Sequence, residues 1–337
     1  MTAQPADDSS EGTSPRSPAR PQTNRRARLA GIAPVAAQHD RVVSRSQLRA
    51  AGWTGNQIEH EIEFGRWSRP APSVVALQNA PLTHDQRLWL GVLHGGDGAV
   101  LTHLTACRRA GLTWHGDADT IHVLTSKGDL AEPIDGFVFH QTRRPYRGWL
   151  RQTPSGPPRL PLEYAALLTA ERDQHVRRAV GLLAACVQQR LTTAERLMAT
   201  RPRIRKLRNG AVFDWALGDI AGGAQSFAEI DIGQLCESAG LQPPIRQSIR
   251  HDTDGRRRYL DCEWELPDGR TVVLEVDGSF HLKVGHWWQD MKRERAVVLS
   301  RSTVLRCASI ELRLEPWVVT ADLRQAGIPR IRLNPSA

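Results

Sequence analysis

The chain has 337 residues, with 45 lysine and arginine side chains against 36 aspartates and glutamates, which gives a formal net charge of +9. A hydrophobic share of 40% supports sizeable cores, and at about 100 to 200 residues per domain the length predicts two or three folded units. This composition excludes collagen-like, coiled-coil and wholly disordered chains. The positive charge favours phosphate-rich partners but does not locate a surface for them.

Cysteine use and hydropathy indicate the compartment. The cysteines are widely spaced and form no C-x-x-C pair, so they indicate neither a disulfide framework nor a thiolate zinc site. No apolar run reaches the roughly 18 residues of a membrane span, and the N-terminus lacks the apolar stretch of a signal peptide. We therefore expect a reduced, cytoplasmic protein with no membrane partner.

The two ends of the chain are predicted to be tails. Residues 1–33 are rich in Pro, Ser, Thr and Arg with almost no large apolar side chain, which predicts disorder. The basic end of this segment, Arg25–Arg28, is read as a solvated tail, with contact to nucleic acid as the alternative. Residues 329–337 form the predicted C-terminal tail.

Residues 34–82 carry the signals of two short helices followed by a hairpin. Ser44–Gln47 and Thr54–Gln57 both fit the capping box, in which Ser or Thr caps the N3 amide and Gln reaches back. Trp67–Leu77 contains prolines and then a β-rich run, which suits a hairpin. Helix, tight turn, helix and wing is the order of a winged-helix domain.

Residues 83–223 are predicted to form a mixed α/β middle region. A helix is expected at His84–Leu93, strands at Ile121–Thr125 and Phe137–Gln141, and helices from Leu162 onward. A basic run also lies here, which either contacts phosphates or forms an exposed helix face or linker; its members are Arg201, Arg203, Arg205, Lys206 and Arg208.

Residues 224–328 show a compact α/β pattern. Helices are predicted at Phe227–Ser238 and His286–Ser300, with a strand at Thr303–Cys307 and a terminal helix after it. Between the first two helices lie two alternating runs that predict a β-hairpin. The expected fold class of the whole chain is therefore α+β or α/β, with several domains.

The turn of this hairpin sets its register. Leu266–Arg270 reads L-P-D-G-R, in which Pro presets the backbone and Gly accepts a left-handed conformation. A three-residue loop with a bulge closes such a turn. The resulting register puts Asp261 opposite Glu275, and Tyr259 opposite Asp277.

The same register divides the hairpin into an apolar and an acidic face. The apolar face carries Leu260, Cys262, Trp264, Leu266, Val272, Leu274 and Val276, and the acidic face carries Asp261, Glu263, Glu265, Glu275 and Asp277. Like charges across an antiparallel pair repel, so the acidic face needs either a compensating cation or full solvation. Paired carboxylates suit Mg²⁺, which can activate water and neutralise a phosphate that is being displaced.

The alternative is an acidic face that simply meets water, as in many antiparallel sheets. Two neighbouring residues favour a site. Gly278 allows a close backbone approach, and His281 offers an imidazole with a suitable pKa beside the carboxylates.

Several motifs in this last region resemble a known family. They are SFAE at Ser226–Glu229, YLDCEW and VVLEVDGSFH on the two strands, D-x-x-R at Asp290 and Arg293, and VLRC at Val304–Cys307. Together they resemble a widespread domain of unknown function that is related to very-short-patch-repair endonucleases and, more distantly, to the PD-(D/E)XK restriction-endonuclease-like fold.

This resemblance implies a site for Mg²⁺ or Mn²⁺. Glu229, Asp261 and Glu275 would be the metal ligands, and Asp261, Glu275, Asp277 and His281 the catalytic positions. Asp277 stands where the nuclease motif has lysine. Asp290 and Arg293 would support the site from the following helix.

The front of the chain resembles the AbiEi-type antitoxin winged helix of type IV toxin-antitoxin systems. GRW at Gly65–Trp67, VVAL at Val74–Leu77 and VLTHLTACRRAGL at Val100–Leu112 carry this resemblance. The recognition-helix position bears three glutamates, so contact with DNA phosphates is expected from the arginines around it. These are Arg45, Arg49, Arg66 and Arg69.

Three functional hypotheses follow. The first is a metal-dependent DNA endonuclease that hydrolyses phosphodiester bonds. The second is a non-enzymatic, antitoxin-type DNA-binding regulator with a degenerate nuclease fold, which the absent lysine favours. The third is a scaffold whose acidic helix meets a basic protein. The partners expected are DNA and a cognate toxin or another protein.

Overall fold

The computed structural model describes residues 24–115, 119–129, 131–150, 155–221, 232–251, 257–277, 297–299, 302–308, 311–312 and 315–331. The chain divides into two compact units, Met1–His94 and Gly95–Ala337. Helices accompany three small sheets in the described residues. The predicted multidomain α+β class is confirmed at this level.

In its described residues, the first unit combines four helices with one three-stranded sheet. The helices are α1 (Arg25–Gln38), α2 (Arg45–Ala50), α3 (Gly55–Glu63) and α4 (His84–His94), and the strands are β1 (Val42–Ser44), β2 (Ser68–Ala71) and β3 (Val74–Ala76). The sheet order is β1-β3-β2, with both pairings antiparallel. The β2–β3 hairpin lies within the segment predicted to form one.

The helix α1 contradicts the predicted disordered tail over residues 25–33, whereas residues 1–23 of that prediction lie outside the described residues. It begins after Asn24, whose side chain accepts a hydrogen bond from the Ala27 amide at 2.9 Å, and it continues past Pro34. Ile32 and Ala36 on one of its faces are buried in the core of the first unit. The few apolar residues of this segment have helical spacing, which average composition does not reveal.

Both predicted capping boxes are confirmed. The Ser44 hydroxyl accepts from the Gln47 amide at 3.1 Å while the Gln47 side chain accepts from the Ser44 amide at 2.9 Å. Thr54 and Gln57 repeat the exchange at 3.3 and 3.0 Å. These caps hold α2 and α3 as separate short helices, and each buries one leucine or isoleucine in the shared core.

The helix α4 belongs to the first unit, whereas the sequence placed it in the middle region that starts at residue 83. The Gln86 side chain donates to the Asp40 carbonyl at 2.8 Å, and His94 Nδ1 lies 2.7 Å from the Ser73 hydroxyl. These contacts fasten both ends of α4 to the loops of the small sheet. The division between the units accordingly falls after His94.

The second unit begins with a three-stranded sheet and a layer of helices. Its elements are β4 (Val100–Leu101), α5 (His103–Arg109), β5 (Ile121–Ser126), β6 (Phe137–Thr142), α6 (Leu162–Arg172), α7 (Val176–Gln188), α8 (Ala194–Thr200) and α9 (Gly210–Ile220). The sheet order is β4-β5-β6, and β5 and β6 are parallel. The predicted strands at Ile121–Thr125 and Phe137–Gln141 are confirmed.

The rest of the second unit is built on a mixed five-stranded sheet. Its elements are α10 (Ile232–Ser238), β7 (Arg246–His251), β8 (Arg257–Glu265), β9 (Thr271–Asp277), β10 (Val297–Leu299), β11 (Ser302–Ala308) and α11 (Pro316–Gln325). The order is β10-β11-β9-β8-β7, in which β9 and β11 are parallel and the other pairs antiparallel.

One element predicted for this region is wrong, and another is confirmed. Residues 297–299, expected at the end of a helix over His286–Ser300, form a strand, because the adjacent valines suit an edge pairing with β11. Most of that predicted helix, residues 278–296, lies outside the described residues. The predicted strand Thr303–Cys307 is confirmed within β11.

The apolar face of the hairpin forms the core of this sheet. Its buried members are Cys262, Trp264, Leu266, Val272, Leu274 and Val276, which cluster with residues of α10 and α11. The largest of them, Trp264, is 2% exposed and donates its indole N–H to the Gln242 carbonyl at 2.9 Å. Within the described residues, no helix has the length and apolar character needed to cross a bilayer.

Trp264→Ala is expected to lower the free energy of unfolding of the second unit by about 3 to 5 kcal/mol, because it opens a cavity in the core of the sheet. The same change at Trp317, which is 64% exposed, should stay within about 0.5 kcal/mol of wild type. Hydrogen-exchange mass spectrometry of the β8 and β9 amides measures both effects. Equal losses in the two variants would contradict this account of the core.

Candidate functional site

The turn between β8 and β9 has the predicted chemistry. The Leu266 amide donates to the Arg270 carbonyl at 2.8 Å, and the Gly269 amide donates to the Leu266 carbonyl at 3.0 Å. Gly269 has a φ of +79°, in the region where only glycine is unstrained. Asp268 accepts from the Arg270 amide at 3.0 Å, so a local side chain also stabilises the turn.

This turn gives the predicted register. Asp261 lies directly opposite Glu275, and Tyr259 lies opposite Asp277. For Asp261 and Asp277 the structure describes the backbone and not the side chain. Two acidic positions on adjacent strands are therefore neighbours, as the alternation of the hairpin predicted.

A cation from the neighbouring strand contacts Glu275 of this acidic pair. The parallel strand β11 places Arg306 beside Glu275, and Arg306 Nε lies 2.8 Å from Glu275 Oε2. The Arg306 side chain is 60% exposed, so the ion pair is worth at most about 1 kcal/mol. Its main effect is that the Arg306 guanidinium balances one negative charge of the acidic face.

Asp261 and Glu275 are residues of the chemical type that binds Mg²⁺. Carboxylate oxygens are its preferred protein ligands, and few are needed because the ion keeps several waters. Glu275 Oε2 is bonded to Arg306, so Oε1 is the oxygen that could meet an ion. Among the described residues, no group of three or more His, Cys, Asp or Glu side chains is arranged to hold a metal.

Four of the predicted site residues lie outside the described residues. They are Glu229, His281, Asp290 and Arg293. Their roles stay predictions that follow from the resemblance.

In the first unit, glutamates of α3 bind the arginines that were predicted to contact DNA. Glu59 Oε1 accepts from Arg45 at 2.8 Å, and Arg69 contacts the other oxygen of the same carboxylate. The hydrogen bond from Arg45 lowers the pKa of Glu59. The Arg45 side chain is only 18% exposed, which makes it mainly a structural partner of α3.

Glu61, which also lies on α3, is buried and binds two arginines. It is 2% exposed and accepts from Arg25 at 2.8 and 3.0 Å and from Arg66 at 2.6 Å. The hydrogen bond from Arg25 lowers the pKa of Glu61 to about 2, against the opposing effect of burial. Of the four arginines predicted to contact DNA, Arg49 is exposed and contacts no carboxylate in the described part of the chain.

These pairings also bear on the acidic surface that the scaffold hypothesis requires. Two of the three glutamates on α3 are neutralised within the chain, which leaves Glu63 as the exposed acidic side chain of the three. A single carboxylate is a weak attraction for a basic partner.

Sequence reasoning missed a group of three histidines in the second unit, which we call the histidine cluster. His122 Nδ1 lies 2.9 Å from His140 Nε2, and the rings of His103 and His140 stack with centroids 4.0 Å apart. The sequence signal was one histidine in each of two predicted strands. The parallel pairing of β5 and β6, which brings the histidines together, is not visible in the sequence.

Neither a family model nor a curated protein matches the chain. Among solved structures, the chain is similar to the RV2827C protein from Mycobacterium tuberculosis, with a TM-score of 0.38 and 17% sequence identity. That similarity covers 60% of this chain and 80% of the other. At these values the similarity gives no information on function.

Glu61→Gln is expected to lower the free energy of unfolding by about 2 to 3 kcal/mol at pH 7, because charged hydrogen bonds to two arginines are weakened. The folded-state pKa of about 2 lies below the ordinary value of 4.5. The stabilisation is therefore complete above pH 4.5 and is lost as the pH falls toward 2. Urea denaturation of both proteins across this range measures the difference.

Glu63→Gln is the matched control, since Glu63 lies on the same helix and is exposed. It should leave the stability unchanged at every pH. A Glu61→Gln penalty that persists undiminished at pH 2 would show that the loss is not caused by the carboxylate charge.

Proposed function

We propose that the chain is a metal-dependent DNA endonuclease, with its site on the β8–β9 hairpin and with an AbiEi-type winged helix in the first unit. The observation that supports this best is the direct pairing of Asp261 with Glu275. Two carboxylate positions at one level of a sheet suit an ion held close to a phosphodiester. The mixed sheet, with its parallel β9 and β11, is compatible with a restriction-endonuclease-like core.

In this proposal Asp261 and Glu275 hold Mg²⁺ or Mn²⁺, with Glu229 as the third ligand that the resemblance implies. The ion supplies a water of lowered pKa and positive charge for the phosphate. Arg306 orients Glu275 by its bond to Oε2, so that Oε1 can meet the ion. The guanidinium also adds positive charge where a phosphate would approach.

The first unit supports a role in holding DNA. The capped helices α2 and α3 precede the β2–β3 hairpin, and β1, which lies just before α2, completes the small sheet. This order is compatible with a winged helix. The acidic side chains of α3 are balanced by arginines, so the helix presents less negative charge to DNA than its sequence indicates. Of the four arginines predicted to contact DNA, Arg49 is the one best suited to a phosphate, because it is exposed and contacts no carboxylate in the described residues.

A second candidate is a DNA-binding regulator without enzymatic activity. The Arg306–Glu275 ion pair favours it, because a guanidinium already balances the carboxylate that a metal would otherwise balance. Asp277, at the position where the nuclease motif has lysine, also favours the regulator. This candidate binds DNA selectively and shows no turnover with any divalent ion.

Asp261→Asn and Glu275→Gln should each slow nicking of supercoiled plasmid by about a hundredfold or more, because each removes a charged ligand worth several kcal/mol of transition-state stabilisation. Glu265→Gln is the control, since Glu265 is an exposed carboxylate on the same strand as Asp261. The nicking rate is measured with Mg²⁺ and with Mn²⁺.

A wild-type protein that never nicks DNA, together with intact DNA binding, would favour the regulator. Nicking that survives in both variants would remove the β8–β9 hairpin as the site.

Arg49→Ala is expected to weaken duplex binding and to reduce the slope of log affinity against log salt by about 0.9, the contribution of one phosphate contact. Arg190→Ala removes the same charge from an exposed position in the second unit and should leave both quantities unchanged. Fluorescence anisotropy over a salt series, with DNA from upstream of the gene, measures both. Equal effects of the two variants would indicate a response to net charge alone.

A further inference from the structure

A cavity of about 770 Å³ opens in the second unit at the carboxyl ends of β5 and β6. Among the described residues, six cationic side chains line it, against one carboxylate, that of Glu171. The cations are Lys127, Arg143, Arg144, Arg172, Arg205 and Lys206. We call this space the cationic cavity.

Most of this positive charge is unbalanced. Arg144 forms two hydrogen bonds with Glu171, at 2.6 and 2.7 Å. For the other five cations, no carboxylate lies within ion-pair distance among the described residues. A concave surface with such an excess of one charge concentrates ions of the opposite sign.

The Arg144–Glu171 pair also fixes the loop that supplies two of the cations. Arg144 donates to the Arg205 carbonyl at 3.1 Å and to the Lys206 carbonyl at 3.0 Å. The Arg208 amide donates to Glu171 at 2.9 Å and fastens the same loop from its other end. The loop is thus held in place before any ligand arrives, which lowers the entropic cost of binding.

One residue that lines the cationic cavity has a buried polar atom that is left unsatisfied. His103 is 6% exposed and lines the cavity, and its Nδ1 has no hydrogen-bond partner among the described residues. Leaving such an atom unpaired costs about 1 to 3 kcal/mol. His103 also has a φ of +47°, which is strained for a residue with a side chain.

The histidines that line the cationic cavity are neutral at pH 7. Burial, followed by the charge of His122 and of Arg172, lowers the pKa of His140 to about 3. Burial also holds the pKa of His103 well below its ordinary value. Neutral imidazoles offer one donor and one acceptor each, so they suit the binding of a ligand better than proton transfer to it.

We propose that the cationic cavity binds a phosphate-bearing ligand, with phosphate oxygens at Arg172 and Arg205 and a polar group of the ligand at His103. A phosphate monoester carries nearly two charges and three acceptor oxygens, and guanidinium groups match its geometry. The volume is within the range of small-molecule sites, and Trp149 and Leu168 provide apolar wall for an organic portion.

Two sources share this chemistry, a free nucleotide and the phosphates of a nucleic-acid strand. Isothermal titration calorimetry on the full chain separates them, with ADP, inorganic phosphate and a short 5′-phosphorylated DNA oligonucleotide as probes. Arg172→Gln and Arg205→Gln should each weaken binding about tenfold or more, the loss expected for one charged hydrogen bond.

Arg203→Gln is the matched control, because Arg203 belongs to the same basic run, is exposed and does not line the cationic cavity. It should bind every probe as wild type does. His103→Gln should weaken binding while the unfolding temperature stays close to that of wild type. Glu275→Gln should bind ADP and inorganic phosphate as wild type does, because Glu275 does not line the cationic cavity, so failure of the nuclease proposal leaves this inference standing.

Binding of ADP that is tighter than that of inorganic phosphate supports the inference and identifies a free nucleotide as the source. Binding of the oligonucleotide alone, weakened by Arg172→Gln and Arg205→Gln, supports it with a nucleic-acid strand as the source. No saturable binding of any probe would overturn the inference. Binding that Arg172→Gln and Arg205→Gln leave unchanged, or that Arg203→Gln weakens as much, would overturn it as well.

Discussion

The tight turn between β8 and β9 sets the register on which both the core and the candidate site of the five-stranded sheet depend. Side chains alternate along each strand, so a slip of one residue would turn the buried Trp264 outward. The same slip would separate Asp261 from Glu275. The turn prevents it with Gly269 in a left-handed conformation and with the Leu266–Arg270 hydrogen bonding around it.

Arginine is the second organising element of the molecule. The chain has 41 arginines and four lysines, and many of the guanidinium groups bind carboxylates of the chain itself. Arg177, for example, binds the buried Glu311 at 3.1 Å and also contacts Glu315. Net charge therefore overstates the cations available to a partner. Arg49 and the five unbalanced cations of the cationic cavity contact no carboxylate among the described residues, and they matter for that reason.

Local patterns in the sequence predicted much of the secondary structure and the register of the hairpin. The capping boxes depend on contacts three residues apart, and the hairpin register follows from a five-residue turn, so both can be read from short segments. The helix α1 was missed because composition averages hide a sparse apolar face. The strand at residues 297–299 was read as helix because its pairing partner lies outside its own segment.

The site residues were predicted less completely, because several of their contacts depend on pairing between segments far apart in the sequence. Asp261 and Glu275 were paired correctly because one local turn joins their strands. Arg306 was not assigned to Glu275, since their contact depends on a parallel pairing between strands far apart in sequence. The histidine cluster depends on another parallel pairing, that of β5 and β6. The helix α6 contributes Leu168, Glu171 and Arg172 to the lining of the cationic cavity.

The position of α1 has a practical consequence for anyone who divides this protein into fragments. A fragment that starts at residue 34, where composition suggests that folding begins, would cut α1 within its length. It would lose Ile32 from the core and Arg28 from its place 4.9 Å over the Trp53 ring. Glu61 would keep its buried position with one of its two arginines gone. A fragment that starts at or before Asn24 keeps the first helix, its cap and its ion pair together.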